Sequence, residues 1–280
     1  MTRVVRHASE RDRWEMVFAA ADPRLDGYVK SYCAYDERTG SFVRRRELPS
    51  DRVVGIVNLG EPIRVSTHEG EWTTQPDGFL AGLHDSYAIT ETCGAQRGVQ
   101  IDFSAVGAHL LFRQPMHELT HRVVTLEDLL GRAGPLLREA LESASSWEAK
   151  FAVLDDFFLA RLDDELSPVP TITRALGRLR ATSGAIPVSE LADEIGCSRR
   201  HLVAGFREHV GITPKLLARI LRFQRALGMM EKPLSWAEIS LACGYYDQAH
   251  LIRDFKQFTG SAPVEFARRR LPDGGGVVGD

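Results

Sequence analysis

The apolar positions of this chain change period part-way along it. From about residue 27 to 104 they fall in short runs, "YVKSYCAY", "DRVVGIVNL", "PIRVSTH", "GFLAGLH", "SYAITETC" and "GVQIDFS". The runs are rich in Val, Ile, Tyr and Phe, and Pro, Gly, Asp and Asn punctuate them at short intervals. That spacing predicts short antiparallel strands in a sandwich or barrel. After Ser104 the period lengthens. "LEDLLGRAGPLLREALESA" and "SSWEAKFAVLDDFFLARLDDEL" predict helices, the first broken near Gly134 and Pro135. In the second, Trp147, Phe151, Leu154 and Phe158 share one stripe, with Ser145 or Ser146 as N-cap and Glu148 in the first turn. The stripe is expected either to pack on the strands or to serve as a dimer face. "SPVPT" then reads as a linker. Everything beyond it is helical in pattern until "PDGGGVVGD", a tail expected to be disordered.

The helical part repeats itself. Leu191 matches Ile239 and Gly196 matches Gly244 at an offset of 48. Leu202 matches Leu251, Phe206 matches Phe255, Gly211 matches Gly260 and Pro214 matches Pro263 at an offset of 49, so the extra residue falls in a turn. Each unit is a short helix, a turn at Gly, and a second helix with Leu and Phe four apart on one face. This is the sequence form of a helix-turn-helix. Between the units, "TPKLLARILRFQRALGMMEK" predicts a long amphipathic helix with Thr213 as N-cap and Pro214 in its first turn.

Charge divides at the same place. The chain has 280 residues and a net charge of −3, but from Pro168 on there are 16 basic and 11 acidic residues, against 19 and 27 before it. A basic C-terminal part suits a polyanion. No apolar run is long enough to span a bilayer, and the charged N-terminus lacks a secretory core, so the expected location is cytoplasmic and no membrane partner is expected. The four cysteines, Cys33, Cys93, Cys197 and Cys243, are widely spaced and fit reduced thiols; a redox pair of Cys33 with Cys93 is the rarer reading.

The segment "ISLACGYYDQAHLIRDFKQFTGSAPVEF" closely resembles the signature of the AraC-type (AraC/XylS) bacterial transcription regulators, and the likeness extends over about residues 168 to 270. The resemblance implies two helix-turn-helix units on a linker helix, their recognition helices entering successive major-groove faces of double-stranded DNA about one turn (~34 Å) apart. Those helices are expected over 198–210 and 247–258. In the first, Ser198, Arg199, Arg200 and His201 stand at the N-terminal end that reaches base edges, Arg200 suiting guanine and Arg207 phosphate. In the second, Gln248, His250, Arg253 and Lys256 are the expected DNA contacts, Gln248 suiting adenine. Where many family members carry Arg, this chain has Val203, Ala204 and Gly205, and Gly205 should cost its helix about 1 kcal/mol relative to Ala.

The layout implied for the whole chain is α+β: an N-terminal cupin-like β-barrel with a helical pair, then an all-α domain with two helix-turn-helix units. Residues 1–167 would form a sensor or dimerisation domain, with the β-rich barrel over 27–104 and helices over 105–166. Residues 168–271 would bind DNA, and 272–280 would be the disordered tail. The expected function is sequence-specific transcription regulation controlled by a small-molecule effector, with regulation without an effector as the alternative. Tyr32, Tyr35, His68, Trp72, His84 and Gln100 are the polar or aromatic candidates for an effector pocket, though each residue type is commoner in a core or on a surface. A homodimer, and RNA polymerase in the case of an activator, would be further partners.

One motif points elsewhere. Residues 117–121 read "HELTH", the HExxH pattern of zinc peptidases. Zinc binding needs both imidazoles one turn apart on a stable helix. Pro115 stands two residues before His117, "RVVT" follows His121, and Val124 stands where the extended motif needs Gly. The segment is therefore read as a short surface helix joining the strands to the helical pair. A zinc-dependent hydrolase is the disfavoured alternative, and no catalytic residue, metal or cofactor is expected.

Overall fold

The computed structural model describes residues 2–9, 12–40, 43–67, 70–162, 167–269 and 277–278. The strands are β1 (Arg3–Ala8), β2 (Asp12–Ala19), β3 (Val29–Thr39), β4 (Val43–Glu47), β5 (Arg52–Asn58), β6 (Ile63–Thr67), β7 (Thr73–Gln75), β8 (Gly78–Ala81), β9 (Ala88–Thr92), β10 (Ala95–Ser104), β11 (Val123–Thr125) and β12 (Val277–Val278). Seven of them form one sheet in the order β1-β2-β3-β10-β5-β8-β11, and five form a second in the order β12-β4-β9-β6-β7.

Two expectations change here. The β region starts at Arg3, not at residue 27. β1 and β2 escape the hydrophobic pattern because β1, at the sheet's edge, is almost wholly exposed and alternates with charge. The barrel is also not closed. Among the described residues the strands divide between two separate sheets, each with its own edges, so the unit is an open, two-layered β structure. Of the expected tail, Val277 and Val278 pair with β4 as β12, and the other residues of 272–280 lie outside the described residues.

The helices are α1 (Ala105–Phe112), α2 (Met116–Leu119), α3 (Leu126–Leu130), α4 (Ala133–Ser143), α5 (Trp147–Leu159), α6 (Pro170–Ala181), α7 (Val188–Ile195), α8 (Arg199–His209), α9 (Pro214–Met229), α10 (Trp236–Ala242), α11 (Gln248–Thr259) and α12 (Pro263–Arg269). Local chemistry sets many of their starts. The hydroxyls of Ser104, Thr125, Ser146, Ser198 and Thr213 and the carboxylate of Asp247 each accept the backbone N–H three residues on, at 2.7–3.2 Å. Ser235 and Glu238 make a reciprocal capping box at the start of α10. The expected break between helices falls at Gly131, and Pro135 sits in the first turn of α4, where its missing N–H costs nothing.

The stripe on α5 is not free to be a dimer face. Phe151, Leu154 and Phe158 are buried, Phe151 stacked on Tyr32 and Phe158 edge-on to Phe103. Burying side chains of this size stabilises by roughly 1.5–3 kcal/mol each, which is why the stripe turns to the sheet. Lys150, also buried, donates its ammonium to the carbonyls of Leu141 and Ala144, satisfying the C-terminal end of α4.

One apolar cluster runs from the first sheet (Val99, Ile101, Phe103) through Phe112, Met116 and Leu119 into Ile172, Leu202, Phe206 and Phe223. The linker "SPVPT" therefore separates two compositions but not two cores. A smaller cluster of Ile56, Ile63, Val65 and Phe79 lies between the two sheets.

Candidate nucleic-acid interface and interior site

The two helix-turn-helix units are built alike. Gly196 ends α7 and Gly244 follows α10, both with left-handed backbone (φ +78° and +75°), so each turn has the conformation that a side chain would penalise. Leu202 and Phe206 of α8, and Leu251 and Phe255 of α11, are fully buried and fix the roll of each second helix. The opposite faces then point outward. Ser198 is the N-cap of α8, its hydroxyl accepting from His201 N–H. Arg199, Arg200, His201 and Arg207 are exposed. On α11, Gln248, Arg253 and Lys256 are exposed, whereas His250 turns its ring onto Tyr245 at 5.2 Å and is only partly open.

Which cations are free matters as much as where they lie. Arg178 pairs with Glu194 at 2.6 Å, Arg219 with Asp254 at 2.7 Å, and Arg222 donates to the carbonyl of Gly184 at 2.6 Å. These tie the helices together. Arg199, Arg200, Arg207, Arg253 and Lys256 make no ion pair within 4.0 Å among the described residues. Five unpaired cations thus stand on the two outward helices, and Arg174, Lys215, Arg225, Lys232 and Arg268 are likewise outside any ion pair among the described residues. Gly205 has a packing reason: a Cβ there would lie 2.5 Å from Cδ1 of Ile172, so glycine lets α6 cross close to α8.

The second candidate site lies between the sheets. Strand alternation sends Cys33, Tyr35 and Glu37 of β3, Gln96 and Gln100 of β10, and Arg45 and Glu47 of β4 toward that space. Arg45 reaches Glu37 at 2.6 Å, from one sheet to the other. Tyr35 Oη, Arg45 Nε and the amide oxygens of Gln75 and Gln96 are buried with no hydrogen-bond partner among the described residues. Glu47 is exposed, and desolvation by the surrounding protein pushes its pKa up. Thr90 donates to it at 3.2 Å.

Of the five proposed effector residues that are described, Tyr35 and Gln100 face this space, and the Gln100 amide donates to Asp102 at 2.9 Å. Tyr32 points to the opposite face, fully buried, and donates to Asp155 at 2.8 Å. Trp72 lies on the outer face of the second sheet, over Arg64 at 4.8 Å. His84 is in the loop before β9, beside His121, and burial pulls its pKa down to about 4. His68 lies outside the described residues. The sequence reading does not single out Arg45, Glu47 or Gln96; for the first two the available signal is the unbroken charge over 44–47 in "VRRRE", which leaves neither face of the strand apolar.

In HELTH the two histidines do not share one helix face. α2 ends at Leu119, and His121 lies beyond it with left-handed backbone (φ +60°), so the two imidazoles diverge. His117 faces Glu208 at 3.7 Å and His121 faces Asp85 at 3.4 Å. Among the described residues no group of three or more His, Cys, Asp or Glu could hold a metal ion. Cys33, Cys93, Cys197 and Cys243 are all free thiols. No helix among the described residues is long and apolar enough to cross a membrane.

Residues 191–269 match the family model of a helix-turn-helix domain, and residues 18–125 match a domain of unknown function (DUF6597). The C-terminal unit is an AraC-type helix-turn-helix domain. The uncharacterized HTH-type transcriptional regulator YbfI of Bacillus subtilis (strain 168) is 25% identical over 144 residues, which is 51% of this chain and 50% of the relative. The chain thus spans about half the length of that curated relative. Among solved structures, ToxT from Vibrio cholerae aligns over 92% of this chain and 98% of its own, at 10% identity and a TM-score of 0.46. The AraC-like transcriptional activator CuxR aligns over 87% and 90%, at 13% identity and a TM-score of 0.32.

Proposed function

We propose that this chain is a sequence-specific DNA-binding transcription regulator that acts by binding, without catalysis. Residues 168–269 read double-stranded DNA, and residues 1–167 sense a small molecule in the space between the two sheets. The observation that carries the reading is the duplicated helix-turn-helix whose second helices present Arg199, Arg200 and Arg207, and Gln248, Arg253 and Lys256, all exposed, the cations making no ion pair among the described residues. Unpaired cations supply the phosphate attraction, and the forked donors of Arg and Gln supply base discrimination. The helix-turn-helix match over 191–269 supports the same conclusion. For the sensor, support comes from the unpartnered polar atoms of Tyr35, Arg45, Gln75 and Gln96, which a polar ligand would satisfy.

Binding-site selection on the full chain and its variants tests the DNA reading. Arg200→Ala and Gln248→Ala should each cost ~1–3 kcal/mol on the selected site and relax preference at a few base pairs. Those two sets of positions should lie about ten base pairs apart. Arg207→Ala should weaken all sequences alike and reduce the salt slope by about 1. A chain that selects no motif, or an Arg200→Ala variant whose motif and affinity are unchanged, overturns the assignment of α8 as a reading helix.

A further inference from the structure

HELTH is the one motif that DNA binding leaves unused, and it lies at the seam between the two domains. α1 and α2 both pack on α8. The rings of His109 and His209 meet edge to face with centroids 4.5 Å apart. His117 lies against Glu208, and His121 lies between Asp85 and the ring of His84. The Asp85 carbonyl accepts from Gln257 of α11 at 3.0 Å, so the same seam also reaches the second reading helix.

These contacts respond differently to a proton. The side chains of His117 and His121 are 50% and 48% exposed and their carboxylates 46% and 42%, so charge there is screened and its effect is small. The His109–His209 pair is more enclosed. His109 Nδ1 donates to the carbonyl of Gln114 at 2.8 Å, which fixes the ring beside His209. His209 is the last residue of α8, where the helix dipole favours a positive charge, and neighbouring Glu208 favours it too. Burial and the proximity of His109 outweigh both and hold His209 below the ordinary 6.5.

We propose that this seam is a proton-sensitive latch: with His209 neutral, α2 stays seated on the end of α8, and acid loosens it by placing charge on His209 in the half-buried contact it shares with His109. The sign follows from linkage. A base whose pKa is depressed by docking favours the docked state when neutral, so docking is strongest above about pH 6.5 and weakens as the pH falls below it. Each unit of depression at His209 is a tenfold change in the docking equilibrium. The latch acts on the first reading helix, because His117 shares one surface groove with Arg200, Val203, Ala204 and Arg207. It rests on packing, not on the DNA-binding reading.

Hydrogen–deuterium exchange of the full chain without DNA, near pH 7.5 and about pH 5.5 and corrected for intrinsic exchange, tests it. Peptides covering 113–122 and 207–213 should exchange faster in acid, by up to about tenfold, while β10 is unchanged. His209→Gln should remove the acid response, His109→Gln should reduce it, and His117→Gln should retain it. The latch is overturned if the wild type shows no acid-dependent change at these peptides, or if a folded Gln variant at either ring keeps the full response. Circular dichroism establishes folding, and the wild-type comparison is decisive even where one variant fails to fold.

Discussion

Both helix-turn-helix units end on a left-handed glycine pressed against the N-terminal domain. Gly211 follows α8 with φ +93°, and a Cβ there would lie 2.8 Å from the carbonyl oxygen of Met116 in α2. Gly260 follows α11 with φ +75°, and a Cβ there would lie 2.5 Å from the ring of Tyr87. Gly196 offers a control within the same unit: its φ is +78°, but nothing lies within 4 Å of the Cβ position. Gly196→Ala should therefore carry only the cost of left-handed backbone, ~1–2 kcal/mol. Gly211→Ala adds the cost of forcing a methyl group against a backbone carbonyl that cannot rotate away, ~1–3 kcal/mol. The difference between the two variants measures how firmly α2 is seated on α8. Guanidinium unfolding, followed by tryptophan fluorescence and circular dichroism together because two domains can unfold separately, should place Gly211→Ala at the lower midpoint. Exchange protection of α2 should fall in Gly211→Ala alone. Equal midpoints with unchanged protection of α2 would falsify the seating of α2 on α8, and with it the structural basis of the latch.

Two further outcomes are expected. At HELTH, elemental analysis of the purified chain should find no stoichiometric zinc, and His117→Ala should change stability by no more than ~0.5 kcal/mol, as befits a half-exposed surface side chain; one tightly bound zinc per chain, lost in that variant, refutes this. Between the sheets, burial raises the Glu47 pKa above the ordinary 4.5, so the folded state favours the protonated form and the charged form costs stability as pH rises past that value. Glu47→Gln should then melt at a higher temperature than the wild type at pH 7, with the gap closing toward about pH 4.5; a variant that melts lower at pH 7 shows that the carboxylate is stabilised in the fold.

Legibility in the sequence followed the range of the interactions. The reading helices were expected over 198–210 and 247–258 and occur as Arg199–His209 and Gln248–Thr259, with Ser198 and Asp247 as their N-caps. Caps, glycine turns and the Leu–Phe spacing are all set within about ten residues, so a single chain displays them, and the repeat displays them twice. The sheets depend on distant partners. β10 pairs with β3 and β5, so which polar residues share an interior is fixed by strands from both sheets, and Arg45, Glu47 and Gln96 could not be grouped with Tyr35 without that order. β1 was missed for a different reason: an exposed edge strand has no apolar face to show.

The histidines of HELTH and the glycines of the repeat make the same physical point about what a motif can say. In sequence, Gly205 is a weak point in a helix, costing about 1 kcal/mol against Ala. In the fold, Ile172 of α6 occupies the place a side chain would take. Gly211 and Gly260 read as turn formers, and they are, but each also admits a piece of the N-terminal domain. His117 and His121 have metal-ligand spacing, and their surroundings assign them to Glu208 and Asp85 instead. In every case the residue type states a local permission, such as a missing Cβ or a ring that can hold a proton. The element packed against it decides the use. Here those elements are α6, α2, α8 and the loop before β9, and two of the four belong to the N-terminal domain. Contact between the two domains accordingly includes Gly211, Gly260 and the His109–His209 pair, and is not confined to the linker that joins them covalently.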